Sequence, residues 1–122
     1  MKYNLFLDDV RFPHQIDWVK IPTVDWIIVR NYDQFVKTIT DKGLPQRVSF
    51  DHDLDFDHYM HDWKTEDPGS DAKTGMDCVK WLVEYCDKHN KSFPTHYMHS
   101  MNPVGCKNME SYIKSYNKSK TL

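Results

Sequence analysis

The sequence predicts an α/β fold, an open parallel sheet flanked by helices, and two observations predict it. Four short apolar runs (Tyr3 to Leu7, Val24 to Val29, Arg47 to Phe50 and Thr95 to Met98) alternate with segments of helical periodicity. Strands that alternate with helices build parallel βαβ units. In addition, three of the runs end abruptly in reactive side chains. Leu5-Phe6-Leu7 runs into Asp8-Asp9, Val48-Ser49-Phe50 into Asp51-His52-Asp53, and His96-Tyr97-Met98 into His99-Ser100. Open parallel sheets collect ligands just beyond the carboxyl ends of their strands.

Taken in order, the first strand, Tyr3 to Leu7, leads into Val10 to Thr23. That segment holds Pro13 and Pro22 and lacks helical periodicity, so it reads as an irregular crossover. The second strand contains Trp26-Ile27-Ile28-Val29, apolar on both faces, which suits a strand covered on both sides. Tyr32, Phe35, Val36 and Ile39 repeat at amphipathic-helix spacing, and Gly43 can end that helix in a left-handed cap. After the third strand, Asp55 to Lys73 is long and polar, with Pro68-Gly69 near its middle; it reads as a lid or wall over the site. Thr74 and Asp77 have capping-box spacing before a helix carrying Val79, Leu82, Val83 and Cys86. The fourth strand is followed by Asn102-Pro103, a cap and a first-turn proline, and then by Met109, Tyr112, Ile113 and Tyr116 on one helix face.

At 122 residues the chain reads as one domain, residues 1–122, long enough for a real core. A hydrophobic share of 39% and a charged share of 28% suit a soluble protein. A net charge of −2 argues against a global nucleic-acid footprint, and the basic stretch with Lys107, Lys114, Lys118 and Lys120 reads as a solvated helix face. Cys78, Cys86 and Cys106 are odd in number and lack C-x-x-C spacing, so free thiols in a reducing compartment are expected. With no signal peptide and no membrane-spanning run, a cytoplasmic location is the expectation.

Asp8-Asp9 reads either as a polar turn with a capping role or as a carboxylate pair whose mutual repulsion a hard divalent cation relieves. Asp51-His52-Asp53 offers further ligands or a general base in its aspartates, and a proton carrier in His52. Arg11 and Arg30, each beside a strand end, either pair with these acids or grip a phosphate in a forked contact. His99 reads as a second acid–base group or as a satisfied core histidine. Ser100 lacks a nucleophile elbow and reads, with Asn102, as a phosphate contact at a helix N-terminus. Thr74 reads first as a cap and second as an anion contact. His58 and His61, with Asp55, Asp57 and Asp62, form an H-x-x-H cluster that reads as a solvated loop.

These segments together also resemble a known family. Leu5 to Pro13, Ser49 to Leu54, Thr74 to Asp77 and His99 to Gly105 look like the cyclic-phosphate-processing receiver-like domain, with Arg30 at a strand-end arginine position. The resemblance spans nearly the whole chain. It implies a receiver-like, flavodoxin-type three-layer fold and a hydrolase acting on cyclic phosphates of nucleotides or RNA ends. The expectation is therefore a metal-dependent phosphoesterase that opens a cyclic phosphodiester. Asp8, Asp9, Asp51 and Asp53 are its metal ligands, for magnesium or manganese. His52, His99 and Asp51 are catalytic, and Arg11, Arg30, Thr74, Ser100 and Asn102 bind the phosphate. The expected partner is a small nucleotide or RNA-end substrate. Two alternatives stay open: a module that sequesters a nucleotide without cleaving it, and a phosphoacceptor domain using Asp51. Ordinary response-regulator receivers also carry a strand-end lysine that has no obvious counterpart here, and His52 and Asp53 crowd the phosphoacceptor position.

Overall fold

The computed structural model describes residues 2–54 and 73–120. Four strands form one parallel sheet: β1 (Asn4–Leu7), β2 (Trp26–Val29), β3 (Arg47–Phe50) and β4 (Thr95–Met98), in the order β2-β1-β3-β4. Three helices accompany it: α1 (Tyr32–Lys42), α2 (Gly75–Lys88) and α3 (Pro103–Lys120). This is the receiver-like α/β fold expected. The segment Asp55 to Lys73, apart from Lys73 itself, lies outside the described residues, and with it the cluster of His58, His61, Asp55, Asp57 and Asp62.

The end of α1 and the starts of α2 and α3 stand where the sequence signals put them. Asn31 caps α1 by accepting from the Gln34 N–H, and Gly43 ends it at φ 87°, a left-handed conformation that favours glycine. Thr74 and Asp77 form the capping box of α2. Asn102 Oδ1 accepts from the Gly105 N–H at 2.9 Å ahead of Pro103, the first residue of α3.

Strand order and handedness decide which face each connection covers. The chain leaves β1 toward β2, then returns past β1 to β3 and on to β4. Right-handed connections running in opposite directions lie on opposite faces of a sheet. Accordingly α1 packs on α2 and α2 on α3, in one layer. Their apolar sides join Leu5, Leu7, Val29, Val48 and Phe50 in a single core cluster with Phe35, Leu82 and Met109. Fully burying side chains of this size contributes roughly 1.5–3 kcal/mol each.

The second face is covered by the irregular crossover, as its two prolines suggested, with only a short 3-10 turn at Pro13–Gln15. Strand alternation turns Phe6, Trp26, Ile28 and Ser49 toward it. One strand departs from expectation. β2 is the sheet edge rather than a strand covered on both sides, and Trp26, Ile27 and Ile28 are only half-buried. A cavity of about 490 Å³ lies between the crossover and β2, lined by Phe12, Ile16, Ile21, Trp26 and Ile28 among others, so the crossover does not seal that face.

Candidate functional site

The parallel register brings Leu7, Val29, Phe50 and Met98 level, so all four strands end in one row. The ladder continues for one more residue on three of them. Asp8 N–H donates to Val29 C=O at 3.1 Å, Asp51 N–H to Leu7 C=O at 3.0 Å, and His99 N–H to Phe50 C=O at 3.0 Å. Asp8 and Asp51 therefore flank the crevice between β1 and β3, where the chain's path across the sheet reverses. That is the ligand position of open α/β sheets.

Asp8 is fully buried and densely held. Its Oδ1 accepts from the backbone N–H groups of Val10 at 2.9 Å and Arg11 at 2.8 Å, an Asx-type turn. Its Oδ2 lies 3.1 Å from His99 Nε2 and 3.7 Å from an Arg11 guanidinium nitrogen. Burial acts to raise this carboxyl, but the hydrogen bonds from His99 and the two backbone N–H groups, with the nearby His99 ring, hold it well below the usual carboxylate range.

His99 reaches Asp8 from β4, across β3. The small Ser49 leaves room for the ring, and its hydroxyl lies 2.6 Å from His99 Nδ1. The ring stacks on Phe6 with centroids 4.5 Å apart and planes within 3°. Trp18 Nε1 donates to the His99 carbonyl at 2.8 Å. Ser49, His99 and Asp8 thus form a buried hydrogen-bonded row with no exposed surface. Ser49 carried one readable signal, since strand alternation puts it on the face of Asp51.

Asp51 is 4% exposed. Burial first, then the charges of Asp8 and Asp9, push its carboxyl up to about 7, against hydrogen bonds from the His52 N–H and the Ser100 hydroxyl. Ser100 Oγ in turn accepts from the Asn102 N–H at 3.1 Å. Asp8, Asp51 and His99 each present a ligand atom within 4.8 Å of the others, a group that could hold a metal ion.

Beside Asp51, His52 Nδ1 lies 2.9 Å from Asp53 Oδ1 and 3.4 Å from Asn102 Nδ2. The ring rests on the first turn of α3 because residue 105 is glycine. A Cβ there would stand 2.5 Å from two His52 ring atoms. A second glycine makes an equally close approach: Gly75 N–H donates to the His52 carbonyl at 2.6 Å, and a Cβ on it would stand 1.9 Å from the Asp51 carbonyl oxygen. The two glycines clamp the end of β3 between the starts of α2 and α3.

A cavity of about 280 Å³ opens at this edge, lined by Asp9, Val10, Arg11, Asp51, Asp53, Ser100, Met101 and Asn102. Arg11 is the cationic side chain among the described lining residues. It lies over the Trp18 ring at 5.1 Å and 3.7 Å from Met101 Sδ. Five of the sequence-predicted site residues do not line the cavity: Asp8 and His52, described above, and three that stand elsewhere. Arg30 donates to the carbonyls of Asp8 at 3.1 Å and Arg11 at 2.6 Å and stacks over Phe12 at 4.6 Å, so its guanidinium ties the loop after β1 together. Thr74 caps α2, and His99 is sealed behind Asp8.

The family model described as the cyclic-phosphate processing receiver domain matches residues 3–115. The chain belongs to this family. No curated protein and no solved structure matches the chain. In this cyclic-phosphate processing receiver domain the carboxylates that follow β1 and β3 meet at the switch point. What the arrangement adds is an imidazole on each side of Asp51: His52 beside the cavity and His99 beneath it. Among the described residues, no helix is long and apolar enough to cross a membrane.

Proposed function

We propose that the domain hydrolyses a cyclic phosphodiester at the cavity between the ends of β1, β3 and β4. One observation carries the reading: Asp9, Arg11, Asp51, Asp53, Ser100 and Asn102 surround a single cavity with the His52–Asp53 pair at its edge. Carboxylates, one arginine and an oriented imidazole suit water attack on a phosphate ester better than they suit a redox or acyl-transfer reaction.

The donor set fits a divalent cation. Asp8 and Asp51 bury two carboxylates that, with His99, present ligand atoms within 4.8 Å of one another, and burial, then the charges of Asp8 and Asp9, raise Asp51 to about 7. Asp8 and Asp51 would hold the ion, with Asp9 and Asp53 offering further oxygens. The cation would polarise a phosphoryl oxygen and make bound water more acidic.

The chain's own side chains divide the remaining work. Arg11 offsets charge on the phosphate oxygens, and the N-terminus of α3, beginning at Pro103, turns its dipole toward the same space. Asp53 orients His52 at the cavity edge by accepting from its Nδ1–H, and Asn102 Nδ2 donates to the same Asp53 oxygen at 3.4 Å. In the reaction the water oxygen bonds to phosphorus and releases a proton to solvent, the ring P–O bond breaks, and the departing oxygen takes a proton. His52 carries that proton, with Asp53 stabilising the imidazolium. Arg30 acts at one remove, fixing the loop that presents Arg11, and His99 lies against the Asp8 carboxylate.

The test is to incubate the protein with 3′,5′-cyclic and 2′,3′-cyclic nucleotides and a divalent cation and to follow the products by mass spectrometry. A linear phosphomonoester supports hydrolysis, and Asp51→Asn should abolish it. Recovery of intact bound nucleotide would replace the reading with sequestration. A second reading, phosphoryl transfer to Asp51, draws on the position of that residue at the end of β3 beside Asp8; it predicts protein phosphorylated by a small phosphodonor.

A further inference from the structure

We infer that His99 supplies a nitrogen ligand to the cation, alongside Asp8 and Asp51, and that the site therefore selects a divalent transition metal over magnesium. The inference rests on the metal-dependent reading above and adds the class of metal. The three ligand atoms lie within 4.8 Å of one another, and all three side chains are buried, so the set is assembled in the core of the sheet edge rather than on the surface. His99 Nε2 points at Asp8 Oδ2 from 3.1 Å. In the absence of a cation, an Nε2–H donating to that carboxylate occupies the space between them.

The other side of the ring is built as metal-bound histidines require. A ligating imidazole normally has its second nitrogen fixed by an outer partner, which sets the tautomer and the ring plane. Ser49 Oγ stands 2.6 Å from His99 Nδ1, and Phe6 stacks flat on the ring at 4.5 Å. A serine hydroxyl both donates and accepts. It can give its proton to Nδ1 while Nε2–H faces Asp8, and it can accept from Nδ1–H once Nε2 is a ligand. The switch moves one proton between the ring nitrogens by way of solvent or Ser49 and leaves the ring in place. Magnesium prefers oxygen ligands and keeps its waters, whereas imidazole suits zinc, copper, iron and nickel; manganese(II), the most oxygen-seeking of the first-row ions, serves as the probe because a nitrogen bound to it is read out spectroscopically.

The experiment titrates metal-free protein with manganese(II) and with magnesium by calorimetry, and measures nitrogen hyperfine coupling to bound manganese by pulsed electron paramagnetic resonance. Manganese should bind at least about tenfold more tightly than magnesium and show one directly bound ¹⁴N. His99→Asn should remove the coupling and shrink the manganese-to-magnesium preference by about tenfold or more. Ser49→Ala should keep the coupling and weaken manganese binding by roughly 10–100-fold. Manganese bound to the wild-type protein without nitrogen coupling overturns the inference, and this readout needs no variant to fold. That result leaves hydrolysis with an all-oxygen site standing. Failure of both metals to bind overturns the inference and the metal-dependent reading together.

Discussion

Replacing Gly75 by alanine should destabilise the domain, although helix propensity alone favours the change by about 1 kcal/mol. The added Cβ would lie 1.9 Å from the Asp51 carbonyl oxygen, against about 3.4 Å for ordinary contact, so the start of α2 must retreat by about 1.5 Å. The partner atoms are backbone on both sides, and no side chain can rotate away. A retreat of that size stretches the Gly75 N–H to His52 C=O bond from 2.6 Å to beyond hydrogen-bonding distance. Overpacking costs about 1–3 kcal/mol, and losing the hydrogen bond roughly a further 0.5–1.5 kcal/mol. Net of propensity, the expected loss is about 0.5–3.5 kcal/mol, and its midpoint of about 2 kcal/mol corresponds to roughly 10 °C in Tm. Urea unfolding followed by circular dichroism measures it. A Gly75→Ala protein as stable as the wild type, or more stable, would refute the claim that α2 and the end of β3 touch through their backbones.

Four further outcomes follow from the same geometry. Gly105→Ala drives a Cβ to 2.5 Å from His52 Cγ and Cδ2 and 3.0 Å from its Cβ, atoms at the root of the side chain, so stability should fall by about 1–3 kcal/mol and turnover by roughly 10²-fold or more; kinetics on the folded variant beside a melting curve separate the two. Arg30→Gln should lower stability by about 1–3 kcal/mol through its two lost carbonyl contacts, whereas Arg11→Gln should leave the melting temperature nearly unchanged and raise KM. Asp51→Asn should stabilise the metal-free protein at pH 8 by about 1–3 kcal/mol, because it removes a buried like charge. The sign follows from a folded pKa of about 7 lying above the usual 3.8: ionising Asp51 disfavours the fold as pH rises from 4 to 7. The gain should therefore nearly vanish at pH 4, as denaturation at the two pH values will show.

The sheet was legible because parallel strands need apolar runs, and the abrupt change from Leu7 to Asp8, Phe50 to Asp51 and Met98 to His99 marks strand ends directly. Caps were legible because Thr74, Asp77 and Asn102 act on backbone within a few residues of themselves. What failed to show was anything set by distant chain. Arg30 looks like a phosphate ligand at a strand end, yet its partners are carbonyls of a loop placed by tertiary folding. Ser49 hides inside an apolar run, and only the crossing of His99 over β3 gives it a partner. Gly105 looks like an ordinary helix residue until His52 lies against it. The exposure of β2 likewise depends on how fully an irregular crossover covers it, which hydrophobicity alone does not encode.

The central claim is that water, delivered at the carboxylate cluster, opens a cyclic phosphodiester. Its most direct test is turnover of a cyclic nucleotide in oxygen-labelled water with manganese present. The expected product is a linear phosphomonoester with one labelled oxygen on phosphorus, formed by the wild type and not by Asp51→Asn or in excess chelator. Intact nucleotide after prolonged incubation with metal-loaded wild-type protein would contradict the account.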